Sequence, residues 1–310
     1  MKTYHALATL TFSFAAANTL YATTFSLPPG SDDMIGKEER ISAGRKDTLI
    51  DLGRLHGFGY DEISAANPGI DPWMPPDGST ITLPHAHILP DAPRTGIVIN
   101  TAEMRLYYFP KATNTVETFP VSVGRTDWNT PLVTTHISRK AANPTWYPPA
   151  SIRQEHLQKG DPLPAVVPPG PDNPLGKYAL YLGVPGYLLH GTNNEFGVGM
   201  QVTHGCMRLY APDVERLFQN VPVGTAVRIV NQPYKVGWRD GVLYVEVHSL
   251  EDGAPAHQAV SPATLKQLVQ QQIADLSEYP VNWDTVEEAR IEATGLPVAV
   301  GPKVTIVEQQ

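Results

Sequence analysis

A β-hairpin is predicted by the stretch Tyr178-Ala179-Leu180-Tyr181-Leu182, Gly183-Val184-Pro185-Gly186 and Tyr187-Leu188-Leu189-His190. The aromatic and branched runs are typical of strands, and the glycine-proline segment between them is typical of a turn. Because side chains alternate faces along a strand, Leu188 and His190 are expected on one face and Leu189 on the other. His190 then stands at a strand end.

Downstream of this hairpin, the segment Thr203-His204-Gly205-Cys206-Met207-Arg208 contains the single cysteine of the 310-residue chain. A thiol near an imidazole can act as a nucleophile, because the imidazole removes its proton and a close imidazolium lowers the thiol pKa. We favour His190 as this base, since another strand delivers it, whereas His204 lies only two residues from the thiol. A buried cysteine that packs as a small apolar side chain is the alternative.

The residues around Cys206 suggest supporting roles. Gly205 lets the backbone approach a substrate carbonyl closely, so that the N–H groups of Gly205 and Cys206 can form an oxyanion hole. His204 would orient or polarise nearby groups. Thr192 or a backbone carbonyl would hold His190 in one tautomer.

Arg208 follows the thiol by two residues. Its fixed charge can assist thiolate formation or bind a substrate carboxylate through two hydrogen bonds. A salt bridge to Asp213 or Glu215 is the structural alternative.

Residues 1–22 predict a secretory signal peptide, because a basic start precedes an apolar, small-residue run from Leu7 to Ala17. We place cleavage after Ala22, with Ala16 or Ala17 as alternatives. The run is short for a membrane anchor, so stable membrane insertion is not expected.

The net charge of −8, without a Lys/Arg cluster, argues against nucleic acid as a partner.

Composition divides the remaining chain into four zones. Residues 36–84 predict a small α+β module, 85–94 a linker with prolines, 95–231 a strand-rich domain and 232–310 an α+β extension. Strands are expected at 39–43, 79–83, 97–100, 104–109, 116–123, 178–182, 187–190, 225–230 and 242–247, and helices at 49–56, 60–66, 211–219, 262–276 and 284–293. The first helix should carry Leu49, Leu52 and Leu55 on one face and end at Gly57. The long proline-rich stretch 143–176 should form a lid or a substrate-binding rim.

The motifs around the thiol resemble the catalytic signature of the L,D-transpeptidase family. The likeness rests on His190-Gly191-Thr192-Asn193 and Thr203-His204-Gly205-Cys206-Met207-Arg208-Leu209, and extends to Thr130-Pro131, Asn143-Pro144-Thr145-Trp146, Gly170-Pro171-Asp172-Asn173-Pro174, Gly176-Lys177-Tyr178-Ala179-Leu180 and Val223-Gly224-Thr225. The N-terminal zone resembles the LysM module, which binds glycan, through Asp47-Thr48-Leu49, Ala65-Ala66-Asn67-Pro68 and Ile81-Thr82-Leu83-Pro84.

This resemblance implies a mainly β catalytic domain with a β-sandwich fold, in a periplasmic enzyme of the Gram-negative branch. Cys206 would attack the bond between diaminopimelate and the terminal D-alanine of a peptidoglycan tetrapeptide, and an amine would then take the acyl group from the thioester. Arg208, Tyr187, Asn193 and Trp146 would contact the substrate. No cofactor or metal is needed for this chemistry.

The sequence leaves the acyl acceptor open among the diaminopimelate amine of a second stem, the lysine of an outer-membrane lipoprotein, and water. Two other functions are also considered: a cysteine carboxypeptidase or wall hydrolase, and a non-catalytic wall-binding protein that uses the LysM-like module. The intact pair of His190 and Cys206 favours an enzyme.

His85-Ala86-His87 is the nearest candidate for a metal site. The sequence offers no supporting carboxylates with it.

Overall fold

The computed structural model describes residues 23–30, 32–249, 261–276 and 278–303. The predicted signal peptide, residues 1–22, lies outside the described residues, as do residues 250–260 and 304–310 of the C-terminal zone. Among the helices in the described ranges, none is both long enough and apolar enough to cross a membrane.

Strands dominate the described chain, and its helices are short. The strands are β1 (Thr23–Ser26), β2 (Met34–Ile35), β3 (Glu39–Ser42), β4 (Thr80–Leu83), β5 (His87–Ile88), β6 (Gly96–Asn100), β7 (Arg105–Phe109), β8 (Thr115–Pro120), β9 (Val123–Gly124), β10 (Thr134–Ala142), β11 (Tyr178–Leu182), β12 (Leu188–His190), β13 (Gln201–Thr203), β14 (Met207–Arg208), β15 (Ala226–Val230), β16 (Tyr234–Arg239), β17 (Val242–Val247) and β18 (Val298–Ala299). The helices are α1 (Leu49–His56), α2 (Tyr60–Ala65), α3 (Ala150–Gln158), α4 (Ala211–Asn220), α5 (Pro262–Gln272) and α6 (Trp283–Glu292), with a 3-10 turn at Glu195–Gly197. The predicted strands and helices are present with shifts of their ends, and the predicted strand 116–123 is divided into β8 and β9. The elements that were not predicted are β10, α3 and the short strands β1, β2, β5, β13, β14 and β18.

Nine strands form one mixed sheet in the order β1-β8-β7-β6-β15-β10-β11-β12-β14. Strand β10 joins the two halves, because residues 134–136 pair with β15 and residues 137–142 pair with β11 across a bulge between Ile137 and Arg139. The protein is therefore mainly β, as predicted. The strands on the two sides of β10 are thereby linked into one continuous hydrogen-bonded sheet, and the expected β-sandwich arrangement stays a prediction.

The largest core lies between one face of this sheet and α4, whose Val214 and Leu217 are buried. Leu189 belongs to this core, whereas Leu188 packs in a separate cluster with Leu175. The predicted alternation of Leu188 and Leu189 is confirmed, and β12 is buried on both faces.

The N-terminal zone has the predicted order of strand, two helices and strand, with β3 antiparallel to β4. The hydroxyl of Thr48 caps α1 by accepting a hydrogen bond from the N–H of Asp51 at 3.0 Å. Leu49 and Leu52 are buried, but the prediction for Leu55 was wrong: it is 53% exposed. At ~100° per residue, Leu55 is turned well away from Leu49.

Residues 85–94 do not form an exposed linker throughout. His87, Ile88 and Leu89 are buried, and β5 pairs with β2 beneath the β16–β17 hairpin. This apolar run is too short to give a periodic signal, so the flanking prolines dominated the sequence prediction.

The N-terminal zone also packs directly on the sheet. Arg105 of β7 is fully buried and donates to Glu62 at 2.9 Å and to the carbonyl of Gly57 at 3.2 Å. The N–H of Tyr60 donates to the carbonyl of Val198 at 3.1 Å. These contacts attach α2 and the residue that ends α1 to β7, and α2 to the loop that precedes β13.

The C-terminal zone forms its own core between the β16–β17–β18 sheet and the helices α5 and α6. Leu265 and Val269 of α5 are buried there, at the helical spacing expected from the sequence.

Candidate active site

Strands β10, β11, β12 and β14 form the floor of a cavity of about 1230 Å³. Tyr181 pairs with Leu188, and His190 pairs with Arg208 through the parallel alignment of β12 and β14. Cys206 immediately precedes β14. The hairpin and the returning chain therefore place His190, Cys206 and Arg208 on the wall of one cavity.

His190 is buried and bound to the backbone. Its Nδ1 lies 2.6 Å from the carbonyl oxygen of Gly191, so Nδ1 carries the donated proton and Nε2 is the free base. Burial, followed by the charge of Arg208, lowers the pKa of His190 to about 4, although the carbonyls of Gly191 and Pro174 oppose this shift. The imidazole is neutral at neutral pH.

Cys206 is partly exposed, and its thiol donates to the carbonyl of Gly186 at 3.5 Å. It packs against the cluster that contains Leu188 and Trp146, and burial raises the pKa of the thiol to about 11. Among the described residues, no hydrogen bond joins this thiol to His190. The expectation that an imidazolium lowers the thiol pKa is therefore wrong for this state, in which both groups are neutral.

Gly205 occupies a conformation that requires glycine. Its φ is 100°, and a Cβ there would lie 2.8 Å from Cε1 of Tyr187. Its N–H donates to the hydroxyl of Thr203 at 3.2 Å, and that hydroxyl donates to the carbonyl of Cys206 at 2.6 Å. The N–H of Gly205 is thus engaged, which leaves the N–H of Cys206 as the better candidate for an oxyanion donor.

His204 lies in the cavity wall but is directed toward α3. Its Nε2 donates to Glu155 at 2.9 Å, and Arg125 donates to the same carboxylate at 2.7 Å. Lys159 adds a third contact at 2.6 Å. Through these contacts His204 helps to hold the helix of the 143–176 segment, and its predicted role in orienting or polarising nearby groups stays a prediction.

This 143–176 segment, predicted as a lid or rim, supplies much of the cavity wall. Trp146 forms an isolated bridge with Val167, and the buried side chain of Asn173 donates to the carbonyl of Pro144 at 2.9 Å. Helix α3 contributes Ile152 to the cavity. Because this segment is rich in prolines, its ordered structure was not predicted from the sequence. The contacts of Glu155 were not predicted either.

Arg208 forms neither of the salt bridges considered from the sequence. Asp213 is buried with Oδ2 unpartnered, while Glu215 accepts a hydrogen bond from Tyr178 at 3.2 Å. In the part of the chain that the structure describes, the Nε of Arg208 has no hydrogen-bond partner. Its guanidinium instead lines the cavity beside His190.

The remaining candidates divide into two groups. Trp146 and Tyr187 line the cavity, and their contact with a substrate stays a prediction. Asn193 is exposed and lies outside the cavity lining, so the structure does not bring it to the site. The hydroxyl of Thr192 donates to the carbonyl of Asn194 at 2.9 Å, which leaves the orientation of His190 to Gly191.

A second buried cluster has the composition of a metal site. The fold brings His87 within 4.8 Å of Glu103 and Glu246, two carboxylates far away in sequence. Lys235 donates to Glu103 at 2.7 Å and lies 2.6 Å from Glu246. The ammonium group of Lys235 therefore lies between the two carboxylates, where a metal ion would have to bind.

Comparisons with known proteins find relatives of this chain. Residues 94–229 match the YkuD family, described as the L,D-transpeptidase catalytic domain. The chain is 40% identical to the probable L,D-transpeptidase YbiS of Escherichia coli, over 96% of this chain and 98% of that protein. It is 45% identical to the probable L,D-transpeptidase ErfK/SrfK over 75% of this chain and 76% of that protein, and 43% identical to the probable L,D-transpeptidase YcfS over 84% of each, both also from Escherichia coli.

Proposed function

Because this chain belongs to the L,D-transpeptidase family and is a transferase, we propose that Cys206 is the nucleophile of a two-step acyl transfer on peptidoglycan stem peptides. One observation carries the proposal: the single thiol and the imidazole of His190 line the same cavity, which is large enough for a peptide. The backbone holds His190 in the tautomer that leaves Nε2 free to accept a proton.

In the first step, the sulfur of Cys206 attacks the carbonyl between the L-centre of diaminopimelate and the terminal D-alanine. The thiol proton passes to Nε2 of His190, and the N–H of Cys206 donates to the developing oxyanion. When the tetrahedral intermediate collapses, His190 returns the proton to the leaving amine. D-alanine departs, and a thioester remains on Cys206.

The pKa shifts favour proton transfer during this attack over a thiolate formed beforehand. Burial disfavours charge on both groups, since it raises the pKa of Cys206 to about 11 and lowers that of His190 to about 4. The imidazole is then in its basic form over the whole neutral range.

In the second step, an amine attacks the thioester carbonyl, and His190 accepts the proton of that amine. The C–S bond then breaks, the new amide leaves, and His190 returns the proton to the sulfur of Cys206. The acceptor is a diaminopimelate amine in 3-3 cross-linking or a lysine in lipoprotein attachment, and water would give carboxypeptidase activity. The wall formed by residues 143–176 would select among them. Residues 1–22 would direct the enzyme to the periplasm as a signal peptide.

Incubation of the purified protein with disaccharide-tetrapeptide tests the reaction. We expect D-alanine release, an acyl adduct on Cys206 and a cross-linked dimer by mass spectrometry. Cys206→Ser should fold normally and give none of these, because an unactivated serine is a much poorer nucleophile. Tripeptide monomer as the sole product would indicate a hydrolase, and no adduct would leave the wall-binding function.

We also propose that the N-terminal zone is a LysM-like module that binds the glycan. Trp73 and Met74, in the loop before β4, are 60% and 76% exposed. This loop is hydrogen-bonded to the first turn of α1, because the N–H of Leu49 donates to the carbonyl of Pro72 at 2.9 Å. An exposed aromatic ring beside polar loops suits stacking on a sugar.

Sedimentation with insoluble peptidoglycan tests this second proposal. Trp73→Ala should reduce the bound fraction, whereas the matched variant Trp283→Ala, a half-exposed tryptophan in α6, should leave it unchanged. Equal binding by wild type and both variants would remove the glycan-binding role of this surface.

A further inference from the structure

We propose that Arg208 and Arg139 bind two separate carboxylates of the donor stem peptide, one next to the scissile bond and one remote from it. This inference rests on the proposed transpeptidation at Cys206. It adds the side chains that would recognise the two free carboxylates of that donor, one on the leaving residue and one at the far end of the diaminopimelate side chain.

The cavity floor places the two arginines at different distances from the thiol. One cross-strand row runs from Arg139 through Tyr181 to Leu188, and Cys206 follows Leu188 in the parallel register of β12 and β14. With strands ~4.8 Å apart, the backbones of Arg139 and Cys206 are about 14 Å apart across this row. Arg208, two residues beyond Cys206, is on the same face and much closer.

Arg208 has the features of a carboxylate-binding residue. Burial lowers the pKa of its guanidinium, and its Nε is a buried donor without a partner. The 3-10 turn packs closely on it, since a Cβ at Gly197 would lie 3.2 Å from Nη1. Burying a guanidinium without a carboxylate partner costs free energy, because the charge loses part of its hydration. A carboxylate of a bound ligand would offset this loss.

Arg139 is held over the remote part of the same floor. It follows the bulge of β10, a feature that redirects side chains, and its guanidinium carbon lies 3.3 Å from the centre of the Tyr181 ring. Within residues 23–30, 32–249, 261–276 and 278–303, no carboxylate pairs with it. Stacking keeps the planar donor groups extended and available for a ligand.

The donor peptide offers carboxylates at these two distances. The carboxylate of the leaving D-alanine is separated from the scissile carbonyl by one amide nitrogen and one Cα, which suits Arg208. The second carboxylate of diaminopimelate ends a long side chain, which suits Arg139. Among the described lining residues, Asp172 is the one acidic side chain, so the cavity favours an anionic ligand.

Acylation rates of Cys206 with three disaccharide-tetrapeptide donors test the assignment. One donor has all its carboxylates, one has the D-alanine carboxyl as an amide, and one has the remote diaminopimelate carboxyl as an amide. The variants are Arg208→Gln, Arg208→Lys and Arg139→Gln. Arg228→Gln is the matched control, because Arg228 donates to the carbonyl of Thr95 away from the cavity.

With the complete donor, Arg208→Gln should lower kcat/KM for acylation by roughly 10- to 100-fold, the range for a hydrogen bond to a charged group. Arg208→Lys should recover part of this loss. Arg139→Gln should lower kcat/KM by roughly 3- to 10-fold, since exposed ion pairs contribute less. Each loss should nearly vanish with the donor that lacks the matching carboxylate, and Arg228→Gln should behave as wild type.

Equal losses with all three donors would overturn the proposal, because the arginines would then act through His190 or through the fold. Unchanged rates in both glutamine variants would also overturn it. If no donor acylates the wild-type protein, the proposed transpeptidation itself fails. Alkylation of Cys206 by uncharged iodoacetamide, compared between wild type and variants, shows whether the thiol has been altered.

Discussion

The Nδ1–H of His190 donates to the carbonyl oxygen of Gly191, the next residue in the chain, over 2.6 Å. A backbone carbonyl thus performs the task that an aspartate or asparagine side chain performs in many catalytic triads. Because the acceptor belongs to the main chain, no substitution of a third side chain can remove it. The proton location on His190 is built into the strand end at β12.

Alkylation of Cys206 by iodoacetamide should rise steadily with pH from 7 to 10, because the thiolate reacts and burial raises the pKa of this thiol to about 11. The thiol is protonated below that pH, so each lower unit should reduce the rate about tenfold. The mass of the single-cysteine protein reports the reaction directly. The same chain unfolded in urea is the control, and its rate should level off above about pH 8.5. A pH-independent rate between pH 6 and 9 in the folded protein would contradict the neutral resting pair.

Gly205→Ala should abolish acylation, because the new Cβ would lie 2.8 Å from Cε1 of Tyr187 in a backbone with φ of 100°. Gly224→Ala is the matched control, with φ of 88° and no atom within 4 Å of its Cβ. Both variants should lose about 1–2 kcal/mol of unfolding free energy from the left-handed conformation. Urea unfolding and acyl-adduct formation measure the two effects. Full activity in Gly205→Ala would show that the segment before Cys206 tolerates this displacement.

Glu155→Gln should loosen the 143–176 segment, since it removes the charge that binds Arg125, Lys159 and His204. These hydrogen bonds hold the pKa of Glu155 far below its usual range, so the wild-type contact should persist throughout neutral and mildly acidic pH. We expect faster proteolysis within this segment and a several-fold lower kcat/KM for acylation.

The matched control for that experiment is Glu117→Gln, which breaks a comparable contact to Arg216 at 2.8 Å away from the cavity. It should change neither the proteolysis of residues 143–176 nor the acylation rate. Identical behaviour of the two variants would show that the contacts of Glu155 do not hold the cavity wall.

Lys235→Met should lower the unfolding free energy by about 3–5 kcal/mol, because it removes the ammonium group that pairs with the buried carboxylates of Glu103 and Glu246, although His248 still lies 2.7 Å from Glu246. Urea unfolding followed by tryptophan fluorescence measures the loss. Arg290→Met, which breaks the exposed pair with Glu287, should leave stability unchanged. Adding Glu103→Gln and Glu246→Gln to Lys235→Met should restore part of the loss. A near-neutral Lys235→Met would argue that water compensates the two carboxylates.

Local patterns were enough to predict most strands. The run 178–182 matches β11 in full, and the alternation at Leu188 and Leu189 is observed. Strand β10 was missed, because it is long, mostly polar and half-exposed. Its bulge places Arg139 at the cavity, and nothing in the flanking residues signals this change of register.

The sequence by itself determined which residues could perform the chemistry, since one cysteine, the nearby histidines and the glycine before the thiol are local features. Only the tertiary structure decided their surroundings: the carbonyl of Gly186 for the thiol of Cys206, Glu155 for His204, and an open cavity for Arg208. The physical reason is that burial, strand register and distant charges set pKa values and hydrogen bonds. Those quantities depend on contacts between segments far apart in the chain, which no local periodicity encodes.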